Sequence, residues 1–186
     1  MTREKILQTA KILFALYGIK KVSMRQVANE LFISERVLQL EFKDKEHLLL
    51  ACINQDIQNL SLLIENIRLQ SGSALKMTLF TSVTHLYYYS SFCPAFYRDL
   101  NSFMEVCRQW NEYRLKFRKK CIECLRKGEI EGDFLPNQNY ELIMTMITDQ
   151  FDGDRTIDRE MMIESILLGI CTKKGIQLLK RLVEWE

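Results

Sequence analysis

Residues 23–42, SMRQVANELFISERVLQLEF, hold two short helical patterns separated by a three-residue turn. Ser23 stands where an N-cap belongs, with Val27, Ala28 and Leu31 recurring behind it at helical spacing. After Phe32 and Ile33, Ser34 offers a second cap, followed by Val37, Leu38 and Phe42. A Ser hydroxyl accepts hydrogen bonds from the free N–H groups of a helix's first turn, so each Ser marks a start. Two such helices form a helix-turn-helix, whose first helix crosses a DNA backbone while the second lays its opening turns in the major groove. Ala28 supplies the small side chain that lets the pair approach closely.

The same periodicity continues in both directions. Upstream, Thr2 is a candidate N-cap, Ile6, Ala10, Leu13, Phe14 and Tyr17 form one stripe, and Gly18 stops it. Downstream, Asp44 caps a long helix with Leu49, Ile53, Ile57, Leu60, Ile64 and Ile67 on one face, ending at Ser71 and Gly72. A helix is expected over 73–91, a break at Pro94, which has no backbone donor, and a short helix near 95–100. Phe103, Cys107, Trp110, Tyr113, Phe117, Cys121 and Cys124 define a second long helix that is expected to end near Gly128, before a loop from Gly132 to Asn137. Helices over about 138–151 and 158–171 flank the acidic turn Asp152, Gly153, Asp154, and an amphipathic segment runs from Gly175 to Val183. No window alternates like a strand. The fold class expected is all-α, with about nine or ten helices: an amino-terminal three-helix helix-turn-helix unit, then a larger helical domain.

Composition narrows the function. The chain has 186 residues, 47% hydrophobic and 27% charged, with 7 Gly and 2 Pro, which excludes disorder and low-complexity repeats. Net charge is +2, but residues 1–47 carry nine basic against six acidic groups, leaving 17 against 18, so the cationic excess sits at the amino terminus. Six scattered cysteines, with no secretory leader and no run of 18 apolar residues, point to reduced thiols, a cytoplasmic location and no membrane association. The sequence holds no G-x-S-x-G, no H-E-x-x-H and no phosphate-cradling glycine loop, so no enzyme activity and no cofactor are expected. Cys121 and Cys124 form a lone C-x-x-C, and His47 and His85 are the only histidines, so no metal site is expected either.

The opening fifty residues resemble the TetR family of bacterial transcription regulators. The resemblance rests on Thr2-Arg3-Glu4-Lys5-Ile6-Leu7, Ala10, Leu13-Phe14, Tyr17-Gly18, Val22-Ser23-Met24-Arg25, Val27-Ala28, Ile33-Ser34, Phe42-Lys43, Lys45-Glu46 and Leu48-Leu49. It implies a helix-turn-helix DNA-binding domain over residues 1–46 and an effector-binding and dimerisation domain over 47–186. By position, Ser23 and Arg25 would meet phosphate, as would Lys45 at the start of the fourth helix, and Lys43 beside it is a further candidate for DNA binding, though a solvated cation reads the same way. Ser34, Glu35, Arg36 and Gln39 would face the groove, where Arg36 suits guanine and Gln39 suits adenine.

The departures fall in one place. The family usually has Gly in the turn, and Phe32 stands there, so either the turn differs or a bulky residue sits at positive φ. Glu35 and Glu41 oppose phosphate binding, though a carboxylate can accept from cytosine N4, and Leu40 can touch a thymine methyl.

In the larger domain, residues 85–113 concentrate amphipathic rings suited to an apolar pocket with polar tips. His85, Tyr89, Phe96, Phe103, Met104, Cys107 and Trp110 are the candidate ligand-binding residues, although the same stripe is what a core displays. The last long helices are apolar on more than one face and need a second cover. A homodimer supplies it, with Ile143, Met146, Ile147, Met162, Ile166, Gly169 and Ile170 as candidate interface residues. The function expected is a ligand-responsive regulator, a repressor released from a double-stranded DNA operator by a small, largely apolar effector. The alternative is a helical interaction or sensor module of the same fold with weakened or lost DNA binding.

Overall fold

A computed structural model describes residues 2–149 and 159–183. Among the described residues there are ten helices: α1 Arg3–Tyr17, α2 Met24–Glu30, α3 Glu35–Glu41, α4 Lys45–Ser71, α5 Ala74–Ser90, α6 Pro94–Leu100, α7 Met104–Ile130, α8 Tyr140–Asp149, α9 Arg159–Ile170 and α10 Lys173–Val183. The expected turn Asp152, Gly153, Asp154 lies outside the described residues. No helix among the described residues is long and apolar enough to cross a membrane.

Local chemistry sets the boundaries. The side chains of Thr2, Ser23 and Ser34 accept from the backbone N–H three residues on, at Lys5, Gln26 and Val37, and Asp44 does the same for His47. Gly18 and Gly72, both at positive φ, follow α1 and α4.

The chain divides into two compact units, Met1–Leu60 with Ser91–Tyr113, and Ser61–Ser90 with Arg114–Glu186. None of the three breaks between these units, after Leu60, Ser90 and Tyr113, falls at residue 46, and α1 is tied to elements on both sides of that point. In the first unit Lys11 on α1 pairs with the buried Asp56 carboxylate on α4, and the Cys93 N–H donates to the Ala15 carbonyl at 2.8 Å. Ile6, Leu7, Ala10 and Phe14 of α1 are buried in the same core as Ala28, Leu38, Leu48, Leu49, Phe96 and Trp110. Ala28 is fully buried, in keeping with a close α2–α3 packing.

In the second unit α5 packs on α9 and α10, with Leu75, Leu79, Leu86, Leu125, Met144, Ile163 and Leu167 buried. Here α7 runs two residues beyond the expected stop at Gly128. That glycine is helical, and a Cβ on it would lie 2.4 Å from the ring of Phe134. Gly128 is therefore a seat for an aromatic ring, and the chain turns at Gly132, φ 77. Phe134 and Cys171 form an isolated antiparallel bridge, fastened by the Leu135 N–H donating to the Ile170 carbonyl at 2.7 Å.

Candidate nucleic-acid interface

The α2–α3 hairpin starts from Ser23, whose hydroxyl accepts from the Gln26 N–H at 3.2 Å while its own N–H donates to Gln26 Oε1 at 2.7 Å. This reciprocal pair locks the entry to α2. At the other end of α2 the Ile33 N–H reaches back to the Ala28 carbonyl at 3.0 Å, which closes the turn. Phe32 occupies that turn at φ 55, with a ring that is 96% exposed. Of the two options the sequence left open, the structure adopts the strained one: the turn keeps left-handed geometry with Phe where glycine would be free of strain.

Leu38 and Phe42 are buried and hold α3 to the unit. Ser34, Arg36, Val37, Gln39, Leu40 and Glu41 are exposed, and Glu35 is half-buried. The helix thus presents most of its surface to solvent, in the manner a groove reader requires. Its two carboxylates are engaged. Arg3 lies 3.3 Å from Glu41 and stacks over Phe42 at 5.1 Å, while the Gln39 amide donates to Glu35 at 3.4 Å. Arg36 forms no ion pair among the described residues. Arg25 and Lys43 are exposed, and Ser23 and Ser34 are committed as caps.

Lys45, which the resemblance sets against phosphate, makes bonds within the fold. Its ammonium donates to the carbonyls of Ile19 and Val22, each at 3.1 Å, and to that of Lys20 at 3.5 Å, and it lies 5.8 Å over the Phe103 ring. Partial burial lowers its pKa, because desolvation disfavours the cation. The α1–α2 loop so gripped is also held by Asp99 of α6, which accepts from the Lys20 N–H at 2.7 Å. Neither this clamp nor the Arg3–Glu41 pair carries a sequence signal, since both join residues more than 20 positions apart.

The other expected residues fall in both units. His85 is buried in α5, stacked on Phe117 at 3.5 Å, with Nδ1 donating to the Thr81 carbonyl at 3.1 Å, and burial pushes its pKa down to about 4. Tyr89 is buried in the same unit, whereas Phe96, Phe103, Met104, Cys107 and Trp110 belong to the first unit. Phe96 and Trp110 are buried, Phe103 and Cys107 half-buried, and Met104 exposed. Beside His85, the hydroxyls of Thr81 and Ser82 are buried without a hydrogen-bond partner, a feature the aromatic pattern did not signal. Ile143, Ile147 and Ile170 are buried within their own unit, so they serve its core. Met162 and Ile166 are half-buried, and Met146 and Gly169 are exposed, beside exposed Leu142, Met161 and Leu168. Cys121 is buried and Cys124 half-buried beside Met77 Sδ at 3.5 Å, and desolvation raises both thiols. Among the described residues no cluster of three or more His, Cys, Asp and Glu could hold a metal ion.

A comparison with curated protein sequences finds no match. The family model described as bacterial regulatory proteins, tetR family, matches residues 6–52. The structure is similar to a TetR-family transcriptional regulator from Marinobacter aquaeolei VT8, at TM-score 0.80 and 16% identity, covering 99% of this chain and 98% of that one. It is also similar to a transcriptional regulator from Saccharomonospora viridis in complex with choline, at TM-score 0.70 and 18% identity over 88% and 92% of the two chains. A third likeness is to the ketosteroid transcriptional regulator KstR2 of Mycobacterium tuberculosis, at TM-score 0.69 and 18% identity over 92% and 95%. Residues 6–52 of this chain therefore match the family model described as bacterial regulatory proteins, tetR family, and the chain as a whole shares the fold of these solved structures.

Proposed function

We propose that this chain is a dimeric repressor, released from a double-stranded DNA operator by a small, largely apolar effector. The single observation that carries the DNA-reading part is α3: Leu38 and Phe42 anchor it, and its groove-facing residues stay in solvent. Arg36 addresses a base edge, and Arg25 and Lys43 address phosphate, with Ser23 and Ser34 at the openings of their helices. Pairing of Glu41 with Arg3 supports the reading, because it removes one uncompensated carboxylate from the helix.

Dimerisation is supported by the exposed Leu142 and Met146 of α8 and Met161, Leu168 and Gly169 of α9, apolar or small groups that a twofold copy would cover. Effector binding draws on the buried polar groups of α5, where His85 and the hydroxyls of Thr81 and Ser82 offer neutral polar tips amid apolar walls.

The test is titration of the intact protein against a fluorescent duplex from its own upstream region at several salt concentrations. Sequence-specific binding that weakens linearly in log salt supports the regulator. An intact dimer with equal, feeble affinity for every duplex favours the interaction module.

A further inference from the structure

Val37 and Leu40 are 49% and 82% exposed, and they stand three residues apart on α3, hence on one helix face with about 5–6 Å between their Cβ atoms. They do nothing for the core of their unit, whose hold on α3 is made by Leu38 and Phe42. They are interleaved with Arg36 and Gln39 on the same exposed helix, so they are continuous with the surface proposed to read DNA.

Little hydrogen-bonding capacity is left on that surface. Arg36 is the only cation of α3, Glu41 is taken by Arg3, and Glu35 is linked to the Gln39 amide. A helix with so few free donors reads a groove largely through apolar contact, and the apolar group on a major-groove base edge is the C5 methyl of thymine. Burying that methyl against Leu or Val is favourable, whereas the bare polar edge of a G·C pair at the same place loses water without compensation.

We propose that Val37 and Leu40 are specificity residues that each read a thymine methyl, so that the operator half-site carries two thymines beside the base bound by Arg36. Base pairs rise about 3.4 Å per step, so side chains about 5–6 Å apart address thymines one or two steps from each other. This inference rests on the DNA-reading function proposed above.

The experiment selects duplexes from a random pool with the full-length chain. The preferred duplex is then remade with deoxyuridine replacing thymine at each half-site position, which removes only the methyl. At two positions the exchange weakens binding about three- to tenfold, the scale of one buried methyl group. Leu40→Ala abolishes the sensitivity at one of these positions and Val37→Ala at the other, with unchanged thermal unfolding because both side chains are exposed. A strongly preferred sequence that binds equally well with deoxyuridine throughout overturns this inference and leaves the regulator standing. A pool that yields no preferred sequence overturns the DNA reader, and this inference with it.

Discussion

The ammonium of Lys45 lies 3.1 Å from the carbonyl oxygen of Val22, and the same group holds the carbonyl of Ile19. The first residue of α4 therefore fastens the loop between α1 and α2 through its ammonium. Lys45→Met keeps the stem and removes the charge. The expected loss is about 1–3 kcal/mol in urea unfolding, the cost of abandoning carbonyls that a charged donor had satisfied.

Salt dependence separates Lys45 from Lys43. Lys43 is exposed and free to neutralise a phosphate, so Lys43→Ala should lower the slope of log K against log salt by about one. Lys45→Met should leave that slope unchanged in duplex titrations, even where stability has fallen.

Phe32 at φ 55 carries left-handed strain with almost no burial in return. Asn tolerates this conformation through its short polar side chain, and a β-branched residue does not. Phe32→Asn is expected to stabilise the chain by about 1 kcal/mol, read as a rise in the thermal midpoint, and Phe32→Val to destabilise it.

Gly128→Ala tests whether tertiary packing or helix propensity decides that position. In an isolated helix the change helps by up to about 1 kcal/mol. Here the new Cβ would meet the Phe134 ring at 2.4 Å, so the expected outcome is a loss of about 1–3 kcal/mol in denaturant unfolding.

His85 gives the chain an acid-sensitive core. Its folded pKa is lowered by burial to about 4, from an ordinary 6.5, so below 6.5 the unfolded chain takes up a proton that the folded chain refuses. Stability is fully present above 6.5 and declines as pH falls toward 4, by about 3 kcal/mol in all. His85→Phe preserves an aromatic against Phe117, and should shrink the drop in the urea midpoint between about pH 7 and about pH 4.5 relative to the parent protein.

The legible parts of this molecule are those whose cause is local. Thr2, Ser23, Ser34 and Asp44 cap their helices through bonds to the residue three positions on, so each start could be read from a few consecutive letters. Gly18 and Gly72 likewise end their helices through their own backbone freedom. Gly128 looked the same in the sequence and does the opposite, because its partner Phe134 comes from beyond the next turn. The candidate site divides in the same way. Exposure of Arg36 and burial of Leu38 follow from position on one short helix, whereas the commitments of Lys45, Arg3 and Glu41 do not.

By itself, then, the order of residues determined about nine or ten helical segments, an all-α architecture and a helix-turn-helix at its head, since capping, periodicity and backbone freedom act over one or two turns. Only the packed chain decided that Arg3 pairs with Glu41 of α3, that the Lys45 ammonium reaches the carbonyls of the α1–α2 loop, and that Ile143, Ile147 and Ile170 belong to a core. Those outcomes depend on which distant groups arrive within a few ångströms of one another, and charge and burial take their effect only at that range.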